Sequence, residues 1–186
     1  MADLATLLAD CGLIQFGRFD HQQPYQLHLE LLPSYPDVLE QITKQAVSLV
    51  GEAIDHLVCM HDALPLGTAL SLKTEIPLVY SRGILAGAPV DNLVGAYDIG
   101  HPALLITNSL RDADGIAQIV RQAHQVGLEI NRVLTLVDEG NSAYSDLETV
   151  AILPLSNILD ALEESGSLPP GHGRVVREWL SLHHQG

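Results

Sequence analysis

The sequence predicts a doubly wound α/β domain with a mostly parallel sheet, and three observations carry that expectation. Short apolar runs at His56–Met60, Pro77–Tyr80, Ala103–Thr107, Asn131–Val137 and Thr149–Leu153 lack the polar alternation of a sheet with one wet face. Strands buried on both faces read this way. Between the runs lie segments with apolar residues at helical spacing, so strand and helix alternate from residue 36 to 165. With 186 residues, 47% apolar and 17% charged, the chain is long enough for one full hydrophobic core. A single domain is expected over 1–186: an N-terminal hood of helix and strands at 1–33, an α/β core at 34–165, and a C-terminal helix within 166–186.

Taken in order, residues 3–11 form a short amphipathic helix on Leu4, Leu7, Leu8 and Cys11. Gln15 to Leu32 alternates in part, with Gln26, His28 and Glu30 against Leu27, Leu29 and Leu31, as in an antiparallel strand or hairpin. Ser34-Tyr35-Pro36 starts a helix, Ser34 as cap and Pro36 in the first turn. It turns Val38, Ile42, Gln45, Ala46 and Leu49 inward and ends near Gly51. A helix from Pro65 to Thr74 joins the first two core strands. Residues 82–101 contain Gly and Pro and show weak periodicity, which suits a lid, hairpin or binding loop. After the strand at 103–107 comes a helix over 113–127, with Gly127 at its C-terminus. Ser156 caps a helix to about Glu164, and Gly173 to His183 forms the last one. The hood is placed to cap the carboxyl edge of the sheet.

Composition excludes several functions. The net charge of −14, from 23 acids against 9 bases, disfavours nucleic acid and anionic membranes, and no basic stripe relieves it. No run approaches the roughly 18–20 apolar residues of a membrane span. The first ten residues carry acids and no basic region, unlike a signal peptide. Cys11 and Cys59 have no metal-ligand or CxxC spacing and read as reduced thiols of a cytoplasmic protein. The two lysines, Lys44 and Lys73, fall within helices and not in loops that could reach an anion.

The segment Ala103 to Gly115 has the frame of a phosphate-binding turn. A buried strand leads through a polar turn into a helix N-terminus, where free backbone N–H groups converge. A site for a sugar diphosphate and its metal also wants carboxylates at the strand end. Thr107 and Asn108 stand there instead.

Several runs, in order and at compatible spacing, resemble a known family. Leu13-Ile-Gln-Phe-Gly-Arg-Phe19 is similar to the opening of the orotate phosphoribosyltransferases. Leu64-Pro-Leu-Gly-Thr-Ala-Leu70 with Ile76-Pro-Leu-Val-Tyr-Ser-Arg82 resembles their next conserved-type run, and Leu134-Thr-Leu-Val-Asp138 a later strand end. The two last helices fall where that family has its own. The resemblance implies the type I phosphoribosyltransferase fold, usually as a homodimer. It also implies transfer of ribose 5-phosphate from phosphoribosyl pyrophosphate (PRPP) to orotate, with Mg²⁺ on the pyrophosphate.

The same resemblance assigns roles that this chain fills with unsuitable residues. The ribose-phosphate loop corresponds to Thr107, Asn108, Ser109, Arg111, Asp112, Ala113, Asp114 and Gly115. Neutral side chains replace its paired acids, which would steady an oxocarbenium-like ribose. Arg111 could pair with a phosphate. Asp112 and Asp114 would oppose one, or simply stabilise the helix N-terminus. The pyrophosphate loop corresponds to His61, Asp62 and Ala63. Here Asp62 brings negative charge, Ala63 narrows the freedom a glycine would give, and His61 is either a ligand or a partly buried, hydrogen-bonded residue. The mobile loop, Ile84 to Val94, contains no base, and the segment after Phe19 is Asp20-His-Gln-Gln-Pro24. Arg82 is a candidate anion contact or a partner for a surface acid. Glu139 stands where the family grips the orotate carboxylate with an arginine, and would repel that group.

No GxGxxG, Walker A, HExxH or GxSxG pattern occurs. His183-His184 lacks a third ligand, Asp138-Glu139 could hold a cation or be solvated loop acids, and Tyr97 and Tyr144 could border a pocket. No resident metal or cofactor is expected, with Mg²⁺ arriving only if PRPP does. The expectation is a divergent, cytoplasmic orotate phosphoribosyltransferase homologue without PRPP-dependent transfer. It would be a pseudoenzyme acting as a binding or regulatory module for a less anionic small molecule in the cleft at the strands' carboxyl ends. The alternatives are an active phosphoribosyltransferase of pyrimidine or nucleotide metabolism with altered site residues, and a structural dimerisation partner with a filled cleft.

Overall fold

A computed structural model describes residues 4–19, 23–82, 93–140 and 147–183. The base-free loop over 84–92, residues 20–22, Tyr144 and His184 lie outside them.

Helix α1 (Leu4–Asp10) precedes an antiparallel hairpin of β1 (Ile14–Phe16) and β2 (Tyr25–Leu27). Six further strands form one sheet: β3 (His56–Cys59), β4 (Leu78–Ser81), β5 (Leu93–Val94), β6 (His101–Thr107), β7 (Leu128–Asp138) and β8 (Glu148–Pro154). Their order is β5-β4-β3-β6-β7-β8, and every pairing is parallel except that of the edge strand β5 with β4. This is the doubly wound, mostly parallel α/β architecture the sequence predicts. A register shift between Ala103 and Leu104 interrupts the β6–β7 ladder.

The buried stretches of the central strands are mostly apolar because they feed two cores. Leu57 and Cys59 of β3 and Leu104 and Ile106 of β6 face a cluster with α1, α2 (Pro36–Val47), α3 (Leu64–Thr74) and α5 (Leu155–Glu164). Val58, Ala103 and Leu105 face the opposite side, under Ile116, Ile119 and Ala123 of α4 (Ala113–Gln125). Helix α6 (Pro170–His183) adds Val176 to the first cluster, and α1 adds Leu4, Ala5 and Leu8, so both chain ends share the larger core. Helix α3 packs hard on β3: a Cβ at Gly67 would come within 2.7 Å of Cys59 Sγ.

Several local expectations are corrected. The alternation through Leu32 is not one strand, because β2 stops at Leu27 and a 3-10 helix follows over Leu29–Ser34. Ser34 lies inside that helix and caps nothing. Tyr35 is the boundary residue of α2, its carbonyl accepting from Val38 and Leu39, with Pro36 next. Within α2, Gln45 is exposed and Thr43 is buried in its place. The residue before α5 is Pro154, so Ser156 sits exposed within the first turn. Helix α6 starts at Pro170, before Gly173, and β7 starts at Leu128, three residues before Asn131. Gly127 follows α4 with φ 87°, the left-handed turn expected of it. Cys11 and Cys59 are free thiols. No helix among the described residues is long and apolar enough to cross a membrane.

Candidate functional site at the carboxyl edge

The three central strands deliver three turns to one edge. Strand β3 ends in the 3-10 turn His61–Ala63, β6 in Thr107 and Asn108, and β7 in Asp138 and Glu139. The side chains have been put to internal use. Thr107, 1% exposed, donates from Oγ1 to the Ser109 carbonyl at 2.9 Å. Asn108, 5% exposed, donates from Nδ2 to the Asp62 carbonyl at 2.7 Å, and its own carbonyl accepts from Val137 N at 3.0 Å. Asn108 therefore ties all three turns together.

Asp62 is half-buried and Ala63 fully buried, whereas His61 is exposed. The partly buried histidine expected at 61 is thus not found, because the short turn directs that side chain outward. Burial raises the Asp62 carboxyl above its usual range. The charge of His61 and the backbone groups of Asp62, Asn108 and Ala63 act in the opposite direction without cancelling it. One oxygen of Asp62 and the Oδ1 of Asn108 are buried without a hydrogen-bond partner.

Arg111 and Glu139 form the strongest contact of the site. Arg111 Nε lies 2.8 Å from Oε2, and Nη2 lies 2.5 Å from Oε1. The Glu139 side chain is 4% exposed and that of Arg111 40%. Tyr25 of the hood donates its hydroxyl to the same Oε1, and the guanidinium carbon sits 5.4 Å from the centre of its ring. Trp179 of α6 meets Tyr25 edge-on at 5.9 Å. Burial works against the charge of Arg111, but the hydrogen bonds and charge of Glu139 outweigh it and hold the guanidinium protonated above its usual value. Burial, then the Glu139 carboxylate, pushes the Tyr25 hydroxyl above its usual range. Glu139 is therefore no solvated loop acid. It is buried, paired and capped, and through Tyr25 the hood does reach the carboxyl edge. Asp138 accepts from Gly140 N at 2.8 Å instead.

The remaining candidates divide. Asp112 caps α4, its Oδ1 accepting from Gly115 N at 2.9 Å, which decides between its two readings. Ala113 and Asp114 are exposed in the first turn of α4. Arg82 is exposed just beyond β4, separated from β6 by β3. Leu27, Leu29 and Glu30 close over Asp62, Asn108, Ser109 and Arg111 around a pocket of about 110 Å³. Among the described residues, no three His, Cys, Asp or Glu side chains are grouped so as to hold a metal ion. Sequence reasoning missed Tyr25 and the hood residues of this pocket. A lone tyrosine in a hairpin carries no signal of a contact 114 residues away.

Comparison with known proteins agrees with the fold and extends along the chain. The chain is 24% identical to the orotate phosphoribosyltransferase of Sulfolobus acidocaldarius, across 96% of each protein. It is 28% identical to that of Methanosarcina mazei, across 87% of this chain and 91% of that one. The structure of Leishmania donovani UMP synthase superposes with a TM-score of 0.83 at 22% identity, over 96% of this chain and 42% of that longer one. The orotate phosphoribosyltransferase of Aeropyrum pernix gives 0.74 at 18% identity, over 89% and 99%. No family model matches the chain. The chain is homologous to orotate phosphoribosyltransferases and shares the type I phosphoribosyltransferase fold of these structures.

Proposed function

We propose that this orotate phosphoribosyltransferase homologue has given up PRPP-dependent transfer and serves pyrimidine or nucleotide metabolism as a binding or regulatory module. The observation that carries this reading is the Arg111–Glu139–Tyr25 cluster. Arg111, the base nearest the ribose turn, is already bound to a buried carboxylate through two parallel hydrogen bonds. Recruiting it to a phosphate would leave Glu139 buried without its cation, and breaking such a pair costs about 3–5 kcal/mol.

The other turns support the same reading. Thr107 spends its hydroxyl on the Ser109 carbonyl, and Asn108 is neutral and committed to the Asp62 carbonyl. Asp62 sets a half-buried carboxyl group, rather than a donor, where a diphosphate would have to dock. This donor set does not fit Mg²⁺ and a sugar diphosphate. The pocket beside Asp62 and Asn108 favours a retained small ligand over a filled cleft. The module works in the cytoplasm, consistent with two free cysteines, and as a homodimer, which sedimentation would check.

Calorimetry with PRPP and Mg²⁺, together with orotate-dependent pyrophosphate release, tests this reading. Neither saturable heat nor release is expected. Micromolar PRPP binding or turnover would overturn it.

A further inference from the structure

We propose that the groove between the β1–β2 hairpin and α6 binds a straight-chain monocarboxylate of medium length, with Arg18 holding its carboxylate. This site lies apart from the carboxyl-edge cleft and does not depend on the function proposed for that cleft.

Two adjoining cavities of about 600 and about 590 Å³ make up the groove. Gly17, Arg18 and Pro24 of the hairpin and Val175 of α6 border both of them. None of these four borders the pocket beside Asp62 and Asn108. Each volume falls within the roughly 300–1,000 Å³ usual for small-molecule sites. Helix α6 supplies one wall with His172, Val175, Glu178, Trp179 and Leu182, a spacing that places them along one side. Val175 is 50% exposed and Leu182 76%, so this apolar stripe is uncovered among the described residues. Phe19 adds to the apolar lining on the hairpin side.

Charge selects the occupant. Acids outnumber bases 23 to 9, and Lys44, Lys73, Arg111, Arg132, Arg174 and Arg177 each stand against an acid. Arg18 is exposed, borders both cavities and has no hydrogen bond or ion pair among the described residues. Such a cation beside an apolar groove is complementary to an anion with an apolar body. Glu178, the acid of the lining, already faces Arg174 at 3.8 Å. From Val175 to Leu182 the helix rises about 10 Å. An extended chain of roughly eight carbons has that length at ordinary C–C distances. A membrane or a second copy fits less well, since a net charge of −14 repels anionic lipid and a like-charged chain.

The groove carries its own reporter, because Trp179 lines it and is the single tryptophan of the chain. The test is a fluorescence titration of the full-length protein with sodium octanoate, with sodium chloride at equal ionic strength as the blank. A saturable change in Trp179 emission is expected. Butyrate should bind at least tenfold more weakly, having fewer methylenes to bury. Octylammonium should also be at least tenfold weaker, because Arg18 repels it. Arg18→Gln should weaken octanoate about tenfold, since a charge-assisted contact becomes a neutral one. Val175→Glu, which sets an acid in the groove at an exposed position, should weaken it as well, with the far-UV circular dichroism of both variants unchanged. Absence of a saturable change overturns the assignment, as does equal binding of octanoate and octylammonium or undiminished binding by Arg18→Gln. An emission change that follows protein concentration instead of octanoate, with a dimer in sedimentation, would give this face to a second copy and overturn it too.

Discussion

Arg111 grips both carboxylate oxygens of Glu139, joining the turn after β6 to the end of β7, and Tyr25 of the hood closes the pair from outside. An acid this deeply buried is tolerated because both of its oxygens have donors, and the cation stays partly solvated. The contact converts two elements of an anion site, a base and a substrate-facing position, into a fixed strut.

Removing Arg111 should therefore destabilise the chain more than neutralising its partner. Arg111→Ala strands the Glu139 carboxylate with Tyr25 alone and should cost about 3 kcal/mol, the lower end for a broken buried pair because Arg111 is partly solvated. Glu139→Gln keeps a hydrogen-bonding side chain in place and should cost about 1–2 kcal/mol. In the double variant the losses should not add. Urea denaturation of the three proteins measures this, and additive losses would mean that the two side chains do not act together.

Asp62 sets a pH dependence with a definite sign. Its folded-state value lies above the ordinary Asp value of about 3.9, so the native chain holds this proton more tightly than the unfolded one. Its contribution to stability is complete below that ordinary value and is lost as pH rises through the raised one. Asp62→Asn should thus raise Tm at pH 7 and change it less at pH 4, with each kcal/mol regained worth roughly 2–4 °C in a chain of this size. Scanning calorimetry at the two values checks it. A Tm lowered at pH 7 would mean that the carboxylate is stabilised where it stands.

The layered fold was legible in the sequence because its signals are local and repeated. Ala103 to Ile106 is a short unbroken apolar run of strand length, and Ile116, Ile119 and Ala123 mark one side of a helix. The positions of the three turns followed from the strand ends. What stayed hidden was the partnership of side chains across long separations. Glu139 and Arg111 were each identified as site positions, but charge alone does not say that 28 residues apart they bind one another. The hood was harder still: a three-residue strand has no reliable pattern, and His28 and Glu30 alternate only by coincidence with a 3-10 helix. The caps failed for a similar reason, since Ser34 and Ser156 match the preferred residue type while neighbouring Pro36 and Pro154 decide where the helix begins.

Restoring an acid at the ribose turn should not restore a PRPP site. Asn108→Asp removes the donor to the Asp62 carbonyl and sets a second carboxylate beside one that burial already disfavours. The expected cost is about 2 kcal/mol, the price of an unsatisfied buried group. It should be larger at pH 7 than at pH 5, since both carboxyl groups are easier to bury protonated. Thermal unfolding at both values, with calorimetry for PRPP, tests the claim; stability unchanged and PRPP bound would show that the turn still supports its ancestral ligand.

The cap of α4 makes a prediction whose sign depends on its partner. Asp112 Oδ1 accepts from Gly115 N at 2.9 Å, and a Cβ added at residue 115 would stand 2.0 Å from Asp112 Oδ2. Gly115→Ala must therefore push the capping carboxylate away and lose a cap worth about 1 kcal/mol. Alanine also relieves glycine's entropy cost in a helix by roughly 0.5–1 kcal/mol, so the net change should be near zero or mildly destabilising. Asp112→Ala alone loses the cap outright and should cost about 1 kcal/mol. Once the carboxylate is gone, the second substitution meets no obstacle. In the Asp112→Ala background, Gly115→Ala should then stabilise by the full roughly 0.5–1 kcal/mol. Urea denaturation of the four proteins gives the coupling directly, and the same effect of Gly115→Ala in both backgrounds would mean that the close approach at this turn has no energetic consequence.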